Sequence, residues 1–172
     1  SNWGSAFGIT LNNLYVGIQS FIYGIFGGIG TGLVLLFNGI MVGAFQFFFY
    51  KHGVLWESVR GIWIHGSMEI FAIVIEGAAG LILGASILFP KTYSRLTSFK
   101  IGVKDGVKIL ISTFPFTIAA GLLEGYVTRY SNAMPNWLSV GIILLTLSII
   151  SYYYLIYPRL VHKKLKQTYA VI

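Results

Sequence analysis

Three of the chain's five acidic residues, Glu69, Glu76 and Glu124, lie inside stretches otherwise long and apolar enough to cross a bilayer. A carboxylate at membrane depth costs roughly 2.5–3.5 kcal/mol on insertion scales, so such groups seldom face lipid and are functional candidates by default. His65 stands four positions before Glu69, which places both side chains on one face of a helix. At about 100° per residue Glu69 lies ~40° from His65 and Glu76 ~20° from it, so the three form one stripe.

Three readings suit this stripe. In the first the groups do no chemistry: they hydrogen-bond one another and fix helix register, as polar residues do inside membrane bundles. In the second they form an ion or proton path running outward from Glu76 through Glu69 to His65. The third is a metal-dependent intramembrane hydrolase, because His-x-x-x-Glu offers two ligands of a zinc or iron site. Only one histidine is embedded in a span, however, and no HExxH pair accompanies it. No metal is therefore assigned, His65 and Glu69 standing as the ligand candidates, and no cofactor is expected. Ser67 lies near His65, but no GxSxG sequence frames it as a nucleophile.

The elements that must hold these groups are membrane helices. The chain has 172 residues, of which 56% are hydrophobic and 10% charged, with a mean hydropathy of +0.77. Soluble domains average about 25% charged residues, so the fold class is an all-α polytopic bundle in one transmembrane domain. Five spans are read, at 10–26, 31–50, 65–89, 107–127 and 137–157. The glycines Gly27, Gly28 and Gly30 mark a turn between the first two, and Pro115 a kink in the fourth. A short interfacial or re-entrant helix is expected near 54–64, with Trp56 and Trp63 as anchors. A basic loop follows at 91–106, and a basic tail at 158–172.

The absence of cysteine excludes disulfides and thiolate sites. The net charge of +7 sits between and after the apolar spans, which fits the positive-inside rule and argues against nucleic acid as a partner. Placing loop and tail in the cytoplasm puts the first residues outside, and an external start with no signal segment implies a span upstream. It also brings Glu69 and Glu124 to one depth, each about a turn below the outer surface. Asn12 and Asn13 join that layer, and Arg60 is within reach of it. Asn38 falls near the midplane, at the level of Glu76.

Gly24, Gly28 and Gly32 recur at spacing four, as do Gly39 with Gly43, Gly80 with Gly84, and Gly121 with Gly125. Small residues at that spacing let membrane helices approach closely. Packing within the chain is the simpler reading, and a homo-oligomeric face the sharper one.

At these residues the chain resembles the stage II sporulation protein M family of polytopic membrane proteins. The resemblance rests on Asn12-Asn13, the Gly24–Thr31 run, Asn38-Gly39 with Gly43, and His65-Gly66 with Glu69. Gly77-Ala78-Ala79-Gly80-Leu81 with Gly84 and Pro90, and Ala119-Ala120-Gly121 with Glu124, complete it over roughly residues 9–126. It implies a scaffold or anchor without enzymatic activity, in a bacterial or archaeal plasma membrane. Its partners would be the lipid bilayer and membrane or cell-envelope proteins, peptidoglycan-remodelling ones above all. The alternative is a transporter or channel moving protons or a small solute along Glu76, Glu69 and His65.

Overall fold

The computed structural model describes residues 2–169, which are helical almost throughout and contain no strand. Helix α1 (Asn2–Ile22) ends in a 3-10 turn, and α2 (Ile29–Lys51) doubles back beside it. At the reversal Gly27 and Gly28 have φ of 66° and 85°, a left-handed conformation that glycine adopts at no steric cost. Helix α3 runs over Leu55–Leu88 and stops ahead of Pro90, whose ring disfavours helical geometry at the preceding Phe89. Helix α4 (Arg95–Leu122) starts on Ser94, whose hydroxyl accepts the backbone N–H of Thr97 at 3.3 Å. A π turn over Leu123–Val127 and a 3-10 turn over Thr128–Tyr130 extend it. Helix α5 (Asn136–Ser151) continues through a π turn at Tyr152–Ile156 into α6 (Tyr157–Tyr169).

Among the described residues four helices are long and apolar enough to cross a membrane: α2, α3, α4 through Tyr130, and the joined α5–α6. This is a multi-pass membrane bundle. The fifth span read from sequence, at 10–26, falls on α1 and its 3-10 turn. Thr10, Asn12, Asn13, Gln19 and Ser20 interrupt the apolar sequence of α1.

The separate interfacial helix expected near 54–64 is absent, because that stretch forms the first turns of α3. Nothing between Trp56 and His65 breaks the backbone ladder, and Ile64 is fully buried, so the segment joins the core rather than lying aside. At 34 residues α3 is about 50 Å long, well beyond the ~30 Å hydrocarbon layer. The basic stretch at 91–106 is likewise helical from Arg95 onward. The helix does not end at Pro158. The proline's ring crowds the carbonyl of Tyr154 and it donates no N–H, and the chain absorbs both in the π turn just before it.

Helix α3 is the axis of the bundle, touching α1, α2, α4 and α5. It lies antiparallel to α4: His65 meets Thr128, Glu76 meets Thr113, and Ser86 meets Ser98. It lies parallel to α5, through Arg60 with Asn136 and Ser67 with Thr146. Phe21, Ala79, Leu83 and Leu110 form the apolar core at the α1–α3–α4 junction. Backbones touch where glycines remove the side chain: Gly24 faces the Gly80 carbonyl, and Gly84 faces Gly27 and Gly28. Thr31 of α2 fits beside Gly80 and donates its hydroxyl to the Ser20 carbonyl of α1 at 2.6 Å.

Candidate functional site

Helix α3 presents His65 and Glu69 toward the loosened end of α4, where Glu124 sits in the π turn. One ligand atom from each of the three lies within 4.8 Å of the others, and each residue is partly buried. His65 Nε2 is 3.8 Å from Glu124 Oε2, and His65 Nδ1 is 3.0 Å from Thr128 Oγ1. A π turn inserts one residue and rotates everything after it; here Glu124 meets Nε2 of the imidazole and Thr128 meets Nδ1. Gly121 and Gly125, packed against Thr10 and Ala6, let this end of α4 approach α1 closely. From α1, Asn13, 6% exposed, brings its side-chain amide beside the Glu69 carboxyl. Neither Glu69 nor Glu124 makes an ion pair with Lys or Arg among the described residues.

Glu69 also opens onto a cavity of about 410 Å³ between α1, α2 and α3. Asn12, Asn13 and Asn38 supply its amide groups, and Trp63 and Ile73 are among its apolar walls. Asn38 lines this cavity and donates Nδ2 to the Val34 carbonyl of its own helix at 2.8 Å.

Glu76 occupies a different place. It is 1% exposed, its Oε1 accepts the Thr113 hydroxyl at 2.6 Å, and its carboxyl rests on the bare backbone of Gly17. Its Oε2 has no partner among the described residues. The stripe that α3 draws in sequence is therefore divided in space, with His65 and Glu69 at the α4 end and Glu76 sealed between α1 and α4. Arg60 does not reach the cluster. Its Nη1 donates to Asn136 Oδ1 of α5 at 2.7 Å, because α5 lies alongside α3 at that level. Asn12 is exposed and lines the cavity only.

Thr113, Thr128 and Gly17 were not singled out by sequence reasoning, and each touches a membrane-embedded polar group. Thr128 had a usable signal, standing four after Glu124 and so one turn on. Gly17 lies seven before Gly24 and shares its face. Thr113 had none, since a lone threonine in an apolar helix is ordinary.

The glycines split into two groups. Gly24, Gly28, Gly80 and Gly84 meet backbone or side chains of neighbouring helices. At Gly32 and Gly43 of α2, and at Gly39, which borders the cavity holding Glu69, a methyl group on the α-carbon would meet nothing within 4 Å.

The family profile for stage II sporulation protein M matches residues 1–129, and the chain belongs to that family. No curated protein and no solved structure matches it.

Proposed function

We propose that this member of the stage II sporulation protein M family acts without chemistry of its own, as a membrane scaffold or anchor that recruits cell-envelope partners. The membrane would be the plasma membrane of a bacterium or archaeon. The partners that the resemblance implies are peptidoglycan-remodelling proteins. The observation that carries this reading is the open glycine face of α2. Gly32, Gly39 and Gly43 are separated by seven and four residues and so share one side of the helix. Each glycine in a helix interior costs about 0.5–1 kcal/mol relative to alanine, and here no neighbour in the chain uses the space it leaves. A second helix seated there would use it, as small-residue faces do in membranes. Along its most apolar stretch α2 buries no residue within the chain.

The orientation follows the positive-inside rule. The 88–95 turn and α6 lie at one end of the bundle, with Lys91, Arg95, Arg159, Lys163, Lys164 and Lys166, and that end faces the cytoplasm. The cluster of His65, Glu69 and Glu124 then lies toward the outside.

Affinity capture from native membranes tests the scaffold. The wild-type chain should retain peptidoglycan-acting proteins that Gly39→Leu and Gly43→Leu lose while keeping their own fold. Equal capture by wild type and variants, or no such protein with either, sinks the reading. The cavity holding Glu69 beside Asn12, Asn13 and Asn38 favours a second reading, conduction of protons or a small solute. Proton flux in liposomes that falls with Glu69→Gln and Glu76→Gln would support it.

A further inference from the structure

We propose that His65, Glu69 and Glu124 bind one divalent transition-metal ion, of which zinc is the type, at the end of the α3–α4 pair. Two carboxyl groups and an imidazole converge there, drawn from two helices, with ligand atoms within 4.8 Å of one another. A tetrahedral zinc with bonds of ~2.0–2.1 Å holds its ligand atoms about 3.3 Å apart. The 3.8 Å between His65 Nε2 and Glu124 Oε2 is already near that figure, and rotation of the Glu69 and Glu124 side chains closes the rest.

Three surrounding features point to a cation. The first is charge: no Lys or Arg among the described residues pairs with either carboxyl, at a depth where uncompensated carboxylates are costly. The second is the imidazole. Thr128 Oγ1, 3.0 Å from His65 Nδ1, can accept that N–H and leave the Nε2 lone pair facing Glu124. Ligating histidines are held in this way, by a hydrogen bond at the other ring nitrogen. The third is Asn13, 6% exposed, whose side-chain amide lies beside the Glu69 carboxyl. It is placed to donate to the carboxyl oxygen that a metal leaves free.

The donor set narrows the ion. One imidazole nitrogen and two carboxylates suit Zn²⁺, Mn²⁺ or Fe²⁺, whereas copper(I) prefers the soft sulfur ligands that are missing here. Three protein ligands leave one position for water or for a group from a docked partner. The ion ties α3 to α4 where the α-helical ladder of α4 has given way to π and 3-10 turns.

The test uses the tag-free full chain in detergent, stripped with chelator and titrated with zinc and cobalt. One zinc per chain is expected, with a melting temperature about 5–10 °C higher at metal 100-fold above its dissociation constant. His65→Gln and Glu124→Gln should each weaken binding by more than about 10-fold, and Thr128→Val by about 10–100-fold. Asp105→Asn, in an exposed pair with Lys108, should change nothing. Where a variant does not fold, X-ray absorption on the wild-type zinc form decides, one nitrogen and otherwise oxygen being expected. Zinc well below one per chain, unchanged affinity in folded His65→Gln and Glu124→Gln, or a shell with no nitrogen or several overturns the site. Binding is read without partners, so its failure leaves the scaffold reading standing, and failed partner capture leaves the site standing.

Discussion

The carboxyl of Glu76 rests on the backbone of Gly17, with no room between them for even a methyl group. One helix supplies the acid and another the missing side chain. Thr113 of a third helix donates to the same carboxyl at 2.6 Å. A polar group 1% exposed thus joins α1, α3 and α4 at one point.

This relationship makes Gly17 and Glu76 a coupled pair. Gly17→Ala should destabilise the chain by about 1–3 kcal/mol through overpacking, measured by thermal unfolding in detergent. Glu76→Gln, nearly the same shape and still an acceptor for Thr113, should cost less than Glu76→Ala. In Glu76→Ala the methyl of Gly17→Ala finds space, so the double variant should be more stable than the sum of the single losses by about 0.5–3 kcal/mol. Strict additivity would show that the two do not touch.

The two groups of glycines should separate in the same assay. In Gly24→Ala and Gly80→Ala the added methyl meets backbone of a facing helix, and losses of about 1–3 kcal/mol are expected. Gly32→Ala and Gly43→Ala meet open space and should be neutral or stabilising by about 0.4–1 kcal/mol. If Gly32→Ala is as damaging as Gly80→Ala, α2 packs differently from the structure described.

Polar staples between helices should contribute modestly. Thr31 to the Ser20 carbonyl spans 2.6 Å, and Ser67 to Thr146 spans 2.7 Å. Thr31→Val and Ser67→Ala should each cost about 0.6–1.7 kcal/mol, the range for interhelical hydrogen bonds in membranes, and Thr31→Ser should cost less. Equal losses for Thr31→Val and Thr31→Ser would locate the effect in packing of the methyl.

Arg60 should behave as an α3–α5 link and not as part of the His65 cluster. Its contact to Asn136 is exposed, so Arg60→Gln should cost under about 1 kcal/mol. The same variant should leave zinc affinity unchanged. A change in that affinity would mean that the guanidinium moves into the cluster in solution.

How far the sequence reaches depends on the range of the interaction. The apolar runs specify a helical membrane bundle, because in lipid the backbone must satisfy its own hydrogen bonds. The i, i+4 spacing of His65 and Glu69 is local and readable. Lys51, Glu57 and Arg60 suggest a surface segment that breaks before His65, yet buried Ile64 binds that stretch into the core. Pro158 misleads for a related reason, since a π turn lets a membrane helix absorb a proline that sequence rules treat as a stop. Gly24 and Gly32 look alike in sequence, and nothing but the neighbouring helix distinguishes them.

By itself, then, the sequence determined the solvent, the helices, the family and the His65–Glu69 pair, all set by composition and by contacts within a few turns. The tertiary structure decided which polar groups share a site. Antiparallel register brought Glu124 and Thr128 to His65, parallel register took Arg60 to Asn136, and close approach of α1 sealed Glu76 away on Gly17. Those outcomes depend on where separate helices cross, to within a turn and a face. Periodicity along one helix fixes its face and carries no information about the height of the next.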